Sequence, residues 1–312
     1  MAEYNREDIP VFRRYFRTKE RDSYVFGNDE FKVSLTAADY GYIGWITLTV
    51  FRLSDDREQS AAKLFFLPHG RLGLSPDHDR GDVVFRSKNV SLDAIRSPGK
   101  RILRCRWTAF DDVRPLYINV TLEDSEIDGL WTETPFLDSD GRLRDGLFSF
   151  GHKTVGLRVS GLMQYGAEQI EFHPEDTVGA YRFDRGLLPF EARREWCWAV
   201  SGDCAFTFGG WGERQAGENL VVIGGESYTP PKTQIRSGQH SDEWRVRTPD
   251  DSIDLTFEPI IERRYERRLS YLAAYEIHQD IGRYSGTITV DGGVTRTLDG
   301  AMGFAEEIFE RM

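Results

Sequence analysis

Residues 181–226 read YRFDRGLLPFEARREWCWAVSGDCAFTFGGWGERQAGENLVVIGGE, and the fold turns on how this stretch is read. Asp184, Arg185, Glu191, Arg193, Arg194 and Glu195 stand beside Trp196, Trp198 and Trp211, with glycines and Asn219 between them. Strands bury alternate positions, so ionisable groups threaded between tryptophans end up partly desolvated. Desolvation shifts carboxylate pKa values and opens acid–base chemistry near neutral pH. The competing reading is a set of arginine–tryptophan contacts and interior ion pairs that only holds a barrel together.

Outward from this stretch, strand signals dominate in both directions. Upstream, the runs YVFG, FKVSLTA, WITLTVFRL, KLFFLP, DVVFRSKNVSL, RILRCRWTAF and LYINVTLE follow one another at similar spacing. Turn-rich segments such as HGRLGLSPDHDRGD and RSPGKR separate them, which fits an antiparallel sandwich or barrel rather than βαβ units. Residues 1–16 read as an arm or a short helix. Residues 124–147 are acidic, carry Pro135 and lack apolar periodicity, so they are the candidate crossing between two β-rich halves, 1–135 and 136–312. Downstream, Lys153–Ser160 alternates, and LVVIGG, WRVRT and IDLTFEPI continue as strands. RYSGTITVDGGVTRTLDG reads as a hairpin. Two helices are expected, at Glu262–Glu276 and Ala301–Met312.

Bulk properties set limits. The chain has 312 residues, 39% hydrophobic and 29% charged, the composition of an ordinary soluble protein. A net charge of −11 argues against nucleic acid, whose phosphates would repel it. No apolar run approaches the roughly 20 residues that span a bilayer, and residues 1–16 hold no apolar signal region. Cys105, Cys197 and Cys204 are odd in number and lack CxxC spacing, which suits reduced thiols in the cytoplasm.

LTAADYGYIGWITLTVF, HKTVGLRVSG, YRFDRGLLPFEARREWCWAVSG and HQDIGRYSGTITVDGGVTRTLDGAMGFAEE resemble, in order and over nearly the whole chain, the bacterial family called domain of unknown function 2804. That family is in turn distantly similar to the calycin-like double β-barrels of carotenoid hydratases, tocopherol cyclases and Diels–Alderases. The resemblance implies two calycin-like antiparallel barrels packed together, with the cavity chiefly in the C-terminal half. The sequence departs from the family pattern where Arg21 follows Glu20, at Gly225–Glu226–Ser227 and at Gln239–His240–Ser241, which points to a ligand of its own.

Several residues are candidates for chemistry. Asp184 beside Arg185 stays ionised if the two pair, whereas a buried aspartate without a partner would donate a proton. Gly186 would let a tight turn direct both side chains into one cavity; the alternative is a structural ion pair. Glu195 is the second candidate for donating or accepting the proton, with Arg185 tuning the pKa or holding an oxygen substituent. Trp196, Trp198 and Trp211 would shape and shield the substrate, or simply fill the core. Asn219 and Glu226 would face neighbouring strands of the same barrel. His152 and His278 lie in family-like motifs and complete the binding set. No histidine pair has zinc spacing, so no metal is expected, and no nucleotide-binding signature calls for a cofactor. The expected function is a cofactor-independent acid–base enzyme of hydratase, isomerase or cyclase type on a small, largely apolar molecule. The alternatives are a lipocalin-like carrier and a carbohydrate enzyme with paired carboxylates. The sequence allows a homodimer and does not indicate one.

Overall fold

The computed structural model describes residues 4–123, 128–138, 140–211, 218–237, 243–268 and 274–311. Strand is their dominant element. A 3-10 turn at Arg6–Asp8 and helix α1 (Val11–Phe16) open the chain. The strands β1 (Thr18–Gly27), β2 (Phe31–Asp39), β3 (Ile43–Arg52), β4 (Arg57–Phe66), β5 (Val83–Arg86), β6 (Val90–Ser97), β7 (Lys100–Trp107) and β8 (Leu116–Glu123) follow. Next come β9 (Leu130–Leu137), β10 (Leu143–Tyr165), β11 (Glu168–Phe172) and β12 (Val178–Leu187). The chain continues with β13 (Glu191–Ser201), β14 (Cys204–Trp211), β15 (Leu220–Ile223), β16 (Glu226–Tyr228), β17 (Gln234–Ser237) and β18 (Trp244–Arg247). Three long strands, β19 (Ile253–Arg268), β20 (Ala274–Val290) and β21 (Val294–Arg311), end it.

Contacts divide the chain into two units. The first holds Met1–Glu126 and Ser149–Leu187, the second Ile127–Phe148 and Leu188–Met312. The division cuts the chain three times, where the sequence reading places one boundary at 135/136. Asp184, Arg185 and His152 consequently fall in the first unit, and the remaining candidates in the second.

In the first unit a curled antiparallel sheet runs β4-β3-β2-β1-β12-β10-β8-β7-β6-β5, with β11 added on β10. Its two edges meet through Phe65 and Phe85, whose rings lie 5.3 Å apart. Alternation produces the core: Val90, Leu92 and Ala94 of β6 and Leu103, Cys105 and Trp107 of β7 are all buried. In the second unit the order is β16-β15-β14-β13-β21-β20-β19-β18-β17. Cys197, Ala199, Phe206, Phe208, Phe257 and Tyr284 belong to one core cluster there. Both expected helices are corrected. Ile253–Arg268 and Val294–Arg311 are strands paired to β20, because each finds an antiparallel partner in register along its length; residues 269–273 lie outside the described residues. None of the three cysteines forms a disulfide, and all are buried.

One close approach in the second unit has a measurable consequence. Gly209 sits opposite Trp196 with φ at 141°, and a Cβ there would stand 2.1 Å from the Glu195 carbonyl oxygen. Gly209→Ala is expected to lower stability by about 1–3 kcal/mol in urea denaturation, since the backbone must move to admit the methyl group.

Candidate functional site: a buried polar layer in the first unit

Strand β1 carries the chain's least ordinary burial. Thr18, Lys19, Glu20, Arg21 and Asp22 are all buried, so both faces of a strand beginning TKERD are out of water. Register explains how this is tolerated. Across to β12, Glu20 faces Arg185, Arg21 faces Asp184, Asp22 faces Phe183 and Tyr24 faces Tyr181. Directly opposite residues share a face, so two charged groups form on opposite sides of the same strand pair.

On one face, Asp22 bridges two guanidiniums: Arg96 Nη2 at 2.5 Å and Arg185 Nη2 at 2.9 Å. Arg96 also donates to the Tyr181 hydroxyl at 2.9 Å. The Arg101 guanidinium lies 3.9 Å from the centre of the Tyr181 ring, and the Tyr24 ring lies tilted against the Tyr181 ring at 4.8 Å, centre to centre. One row along, Glu20 accepts from Tyr4 Oη at 2.8 Å and pairs with Arg6. Burial raises the Glu20 carboxyl above its ordinary range, against the opposing pull of Arg185 and Arg6. Burial likewise pushes the Tyr181 phenol far upward, with Asp22 adding to it, so Tyr181 stays a neutral hydroxyl.

The irregular segment 67–82 closes over this layer, and the same arginines hold it. Arg185 Nε and Nη2 donate to the Ser75 carbonyl at 2.9 and 2.7 Å. Arg96 Nη1 donates to the Asp77 carbonyl at 2.7 Å, and Arg101 Nη1 to the His78 carbonyl at 2.7 Å. Asp39 Oδ2 accepts from Gly70 N–H at 2.8 Å. The segment brings the His78 ring within 4.1 Å of the His152 ring, centre to centre. His152 is buried, while His78 reaches the surface between Asp77 and Asp79, with Nε2 3.0 Å from Asp79 Oδ1. Burial, then the neighbouring His78 and Arg101, force the His152 imidazole down to about 2, so it is neutral at any ordinary pH. Burial also lowers His78, with Asp79 pulling the other way.

On the other face, Asp184 lies between Arg21 Nη2 at 2.7 Å and Arg182 Nε at 2.8 Å. Burial alone would raise its carboxyl, but Arg182 and Arg21 outweigh that and hold it at about 2. This corrects the expectation for the pair. Residues 184–187 are strand and not a tight turn, so Asp184 and Arg185 point to opposite faces and share no cavity. Arg185 serves Asp22 and the Ser75 carbonyl, and Asp184 is kept ionised, which removes it as a proton donor.

In the second unit the tryptophans pack. Trp198 stacks on Phe304 at 5.5 Å, and Trp211 meets Phe136 edge-on in a small buried cluster with Leu188 and Ala192. Trp196 donates its Nε1–H to Thr207 Oγ1 at 2.5 Å. It lies on the face of β13 opposite Cys197 and Ala199, which enter the core. Asn219 accepts from Gly209 N–H and Thr233 O–H and donates to the Pro231 carbonyl, so it fastens a turn. Glu226 is exposed on the edge strand β16, accepting from Tyr228 Oη. Half-buried Glu195 sits opposite Gly210 and Glu307. His278 Nε2 lies 3.1 Å from Asp280 Oδ1.

Sequence reading missed His78, Asp22, Arg96, Arg101 and Tyr181 as a group, and Glu20 beside them. The available signals were Asp77–His78–Asp79 inside a turn-rich segment and a charged run leading directly into the strand residues YVFG.

The family described as Domain of unknown function (DUF2804) matches residues 1–312. The chain belongs to that family. This DUF2804 chain also resembles solved structures at low identity. CghA, solved with Sch210972, aligns with a TM-score of 0.56 at 7% identity, over 94% of this chain and 88% of that one. A putative AttH from Nitrosomonas europaea aligns with a TM-score of 0.50 at 15% identity, over 98% and 96% of the two chains. Kievitone hydratase from Nectria haematococca aligns with a TM-score of 0.50 at 7% identity, over 97% and 92%. At such identities the likeness shows the fold, which the DUF2804 chain therefore shares with a hydratase. No curated protein matches it in sequence. Among the described residues no helix is long and apolar enough to cross a membrane.

Proposed function

We propose that this DUF2804 chain is an acid–base enzyme of hydratase, isomerase or cyclase type, working without a cofactor on a small, largely apolar molecule. The observation that carries the reading is the His78–His152 pair set against Arg101 and Tyr181, beside the buried Asp22–Arg96–Arg185 layer. Buried charge is costly and is retained where it does something, and strongly shifted groups with named charge partners gather at reaction centres. A neutral imidazole beside a guanidinium can polarise a carbonyl without being a strong acid. In the proposed reaction His152 and Arg101 hold a substrate oxygen as negative charge develops on it, and Tyr181 stays neutral beside them. His78, the member of the pair that reaches solvent, carries the proton in or out. The apolar residues of β6 and β7 hold the hydrocarbon part, and segment 67–82 must lift to admit it. The fold shared with kievitone hydratase supports the reaction class.

The test begins with mass spectrometry of the purified protein, to identify any molecule that co-purifies with it for use as the substrate. His152→Gln is expected to lower its turnover about 100- to 10,000-fold with unchanged binding. His78→Gln is expected to lower turnover and flatten its pH profile. Equal ligand affinity in all three proteins with no turnover in any would favour a lipocalin-like carrier and overturn the reading.

A further inference from the structure

A second cluster, in the other unit and unrelated to the acid–base centre, carries an inference of its own. Glu262 of β19 faces Asp280 of β20 directly across the ladder, and His278 lies two residues earlier on the same strand, hence on the same face. The register gathers one ligand atom from each of the three within 4.8 Å of one another. Asp280 is buried, His278 is partly buried and Glu262 opens to solvent, so the group has a floor and an entrance.

Two details separate it from an ordinary surface group of acids. Asp280 Oδ1 and His278 Nε2 face each other at 3.1 Å, yet both are buried atoms without a hydrogen-bond partner. A buried carboxylate oxygen left this way is costly unless something else satisfies it. Two donor atoms bound at about 2.0–2.1 Å to one tetrahedral ion stand about 3.3 Å apart, close to the separation found here. The other carboxylate oxygen of Asp280 is already oriented, since Trp244 donates its Nε1–H to Oδ2 at 2.8 Å. A ligating carboxylate fixed by an outer hydrogen bond is the usual support of a metal centre. Two more carboxylates lie on the same face: Glu195 and Glu307 sit opposite each other, and Glu307 faces His278, with Arg193 at the surface 3.6 Å from Glu307. Arg264, mostly exposed, lies 3.5 Å from Glu262 Oε2 and must release that oxygen or keep only it.

We infer that Glu262, His278 and Asp280 bind a divalent first-row transition ion, with solvent completing the coordination. The imidazole nitrogen favours zinc or cobalt over magnesium and calcium, which prefer oxygen ligands alone. This departs from the expectation drawn from histidine spacing, because the ligands come from two strands and only one is a histidine.

The full-length protein, stripped with a chelator, is titrated with zinc by calorimetry and with cobalt by visible absorption. One ion per chain is expected, at about micromolar Kd or tighter, with a cobalt spectrum of low coordination number. His278→Gln and Glu262→Gln, both at accessible positions, are each expected to weaken zinc at least about 100-fold, and Glu276→Gln to change nothing. Equal zinc affinity in wild type and His278→Gln, an aqueous-type cobalt spectrum, or tighter binding of magnesium than zinc would each overturn the assignment.

Discussion

Asp22→Asn is expected to destabilise the first unit by about 3–5 kcal/mol, the largest single-residue effect on stability in the molecule. The reason lies in what stays behind. Asp22 is the shared counter-charge of Arg96 and Arg185, both of which are buried. A neutral amide would leave two guanidiniums out of water with their principal compensation gone, and an amide nitrogen aimed at one of them. Tyr181 and the carbonyls of Ser75 and Asp77 would still accept hydrogen bonds, but dipoles do not replace a charge. Urea unfolding, followed by hydrogen exchange at the β1 amides, measures the loss. Arg193→Ala provides the contrast: its partner Glu307 lies 3.6 Å away and Arg193 is mostly exposed, so it is expected to change stability by less than about 1 kcal/mol. A small effect at Asp22 would mean that water reaches the guanidiniums, and the closed-layer description would then fail.

Stability is also expected to fall with acid well before the carboxylates titrate. The unfolded His152 takes up a proton near its ordinary value, whereas the folded one resists down to about 2. Between those values the unfolded state binds the additional proton, so stability declines as pH falls, by about 1.4 kcal/mol per unit for one such group. From pH 6.5 to pH 5 the expected loss is about 2 kcal/mol, and His78, also lowered, acts in the same direction. Asp184 adds a later loss. Its depressed folded value stabilises the protein above the unfolded carboxylate range, and that contribution disappears as pH drops from about 4 to about 2. His152→Phe, which removes the titrating group and keeps an aromatic ring, should flatten the curve between pH 7 and 5 in guanidinium unfolding. An unchanged slope would show that His152 is not a buried neutral base.

The all-β architecture was legible because most strands alternate, as β6 and β7 do, with apolar residues on one face and polar ones on the other. Residues 262–268 and 301–311 defeated the same reading. The charged run ERRYERR and the Ala- and Glu-containing AMGFAEEIFER mimic helical composition, and only pairing with β20 makes them strands. Residues 18–22 escaped for the opposite reason. Five polar side chains in a row look like solvent-facing chain, and the burial of Asp22 and Arg21 rests on counter-charges more than seventy residues away, Arg96 and Arg185 for Asp22 and Asp184 for Arg21. Asp184, Arg185 and His152 drew notice by residue type and motif. Their grouping did not, because register places Asp184 on the far face and brings in His78 from a turn-rich segment. The tryptophans drew notice by mass and rarity, and at least Trp198 and Trp211 pack against aromatic neighbours.

The central claim is that the His78–His152 end of the first barrel transfers protons to a bound molecule. Incubating the protein in deuterated water with any molecule found to co-purify with it, with mass spectrometry of that molecule at intervals, is the direct test. Deuterium incorporation, or gain of the mass of one water, is expected with wild type, and loss of that change with His152→Gln at unaltered binding. A carried molecule that stays chemically unchanged and unexchanged in wild type, or that reacts equally fast with His152→Gln, would contradict it.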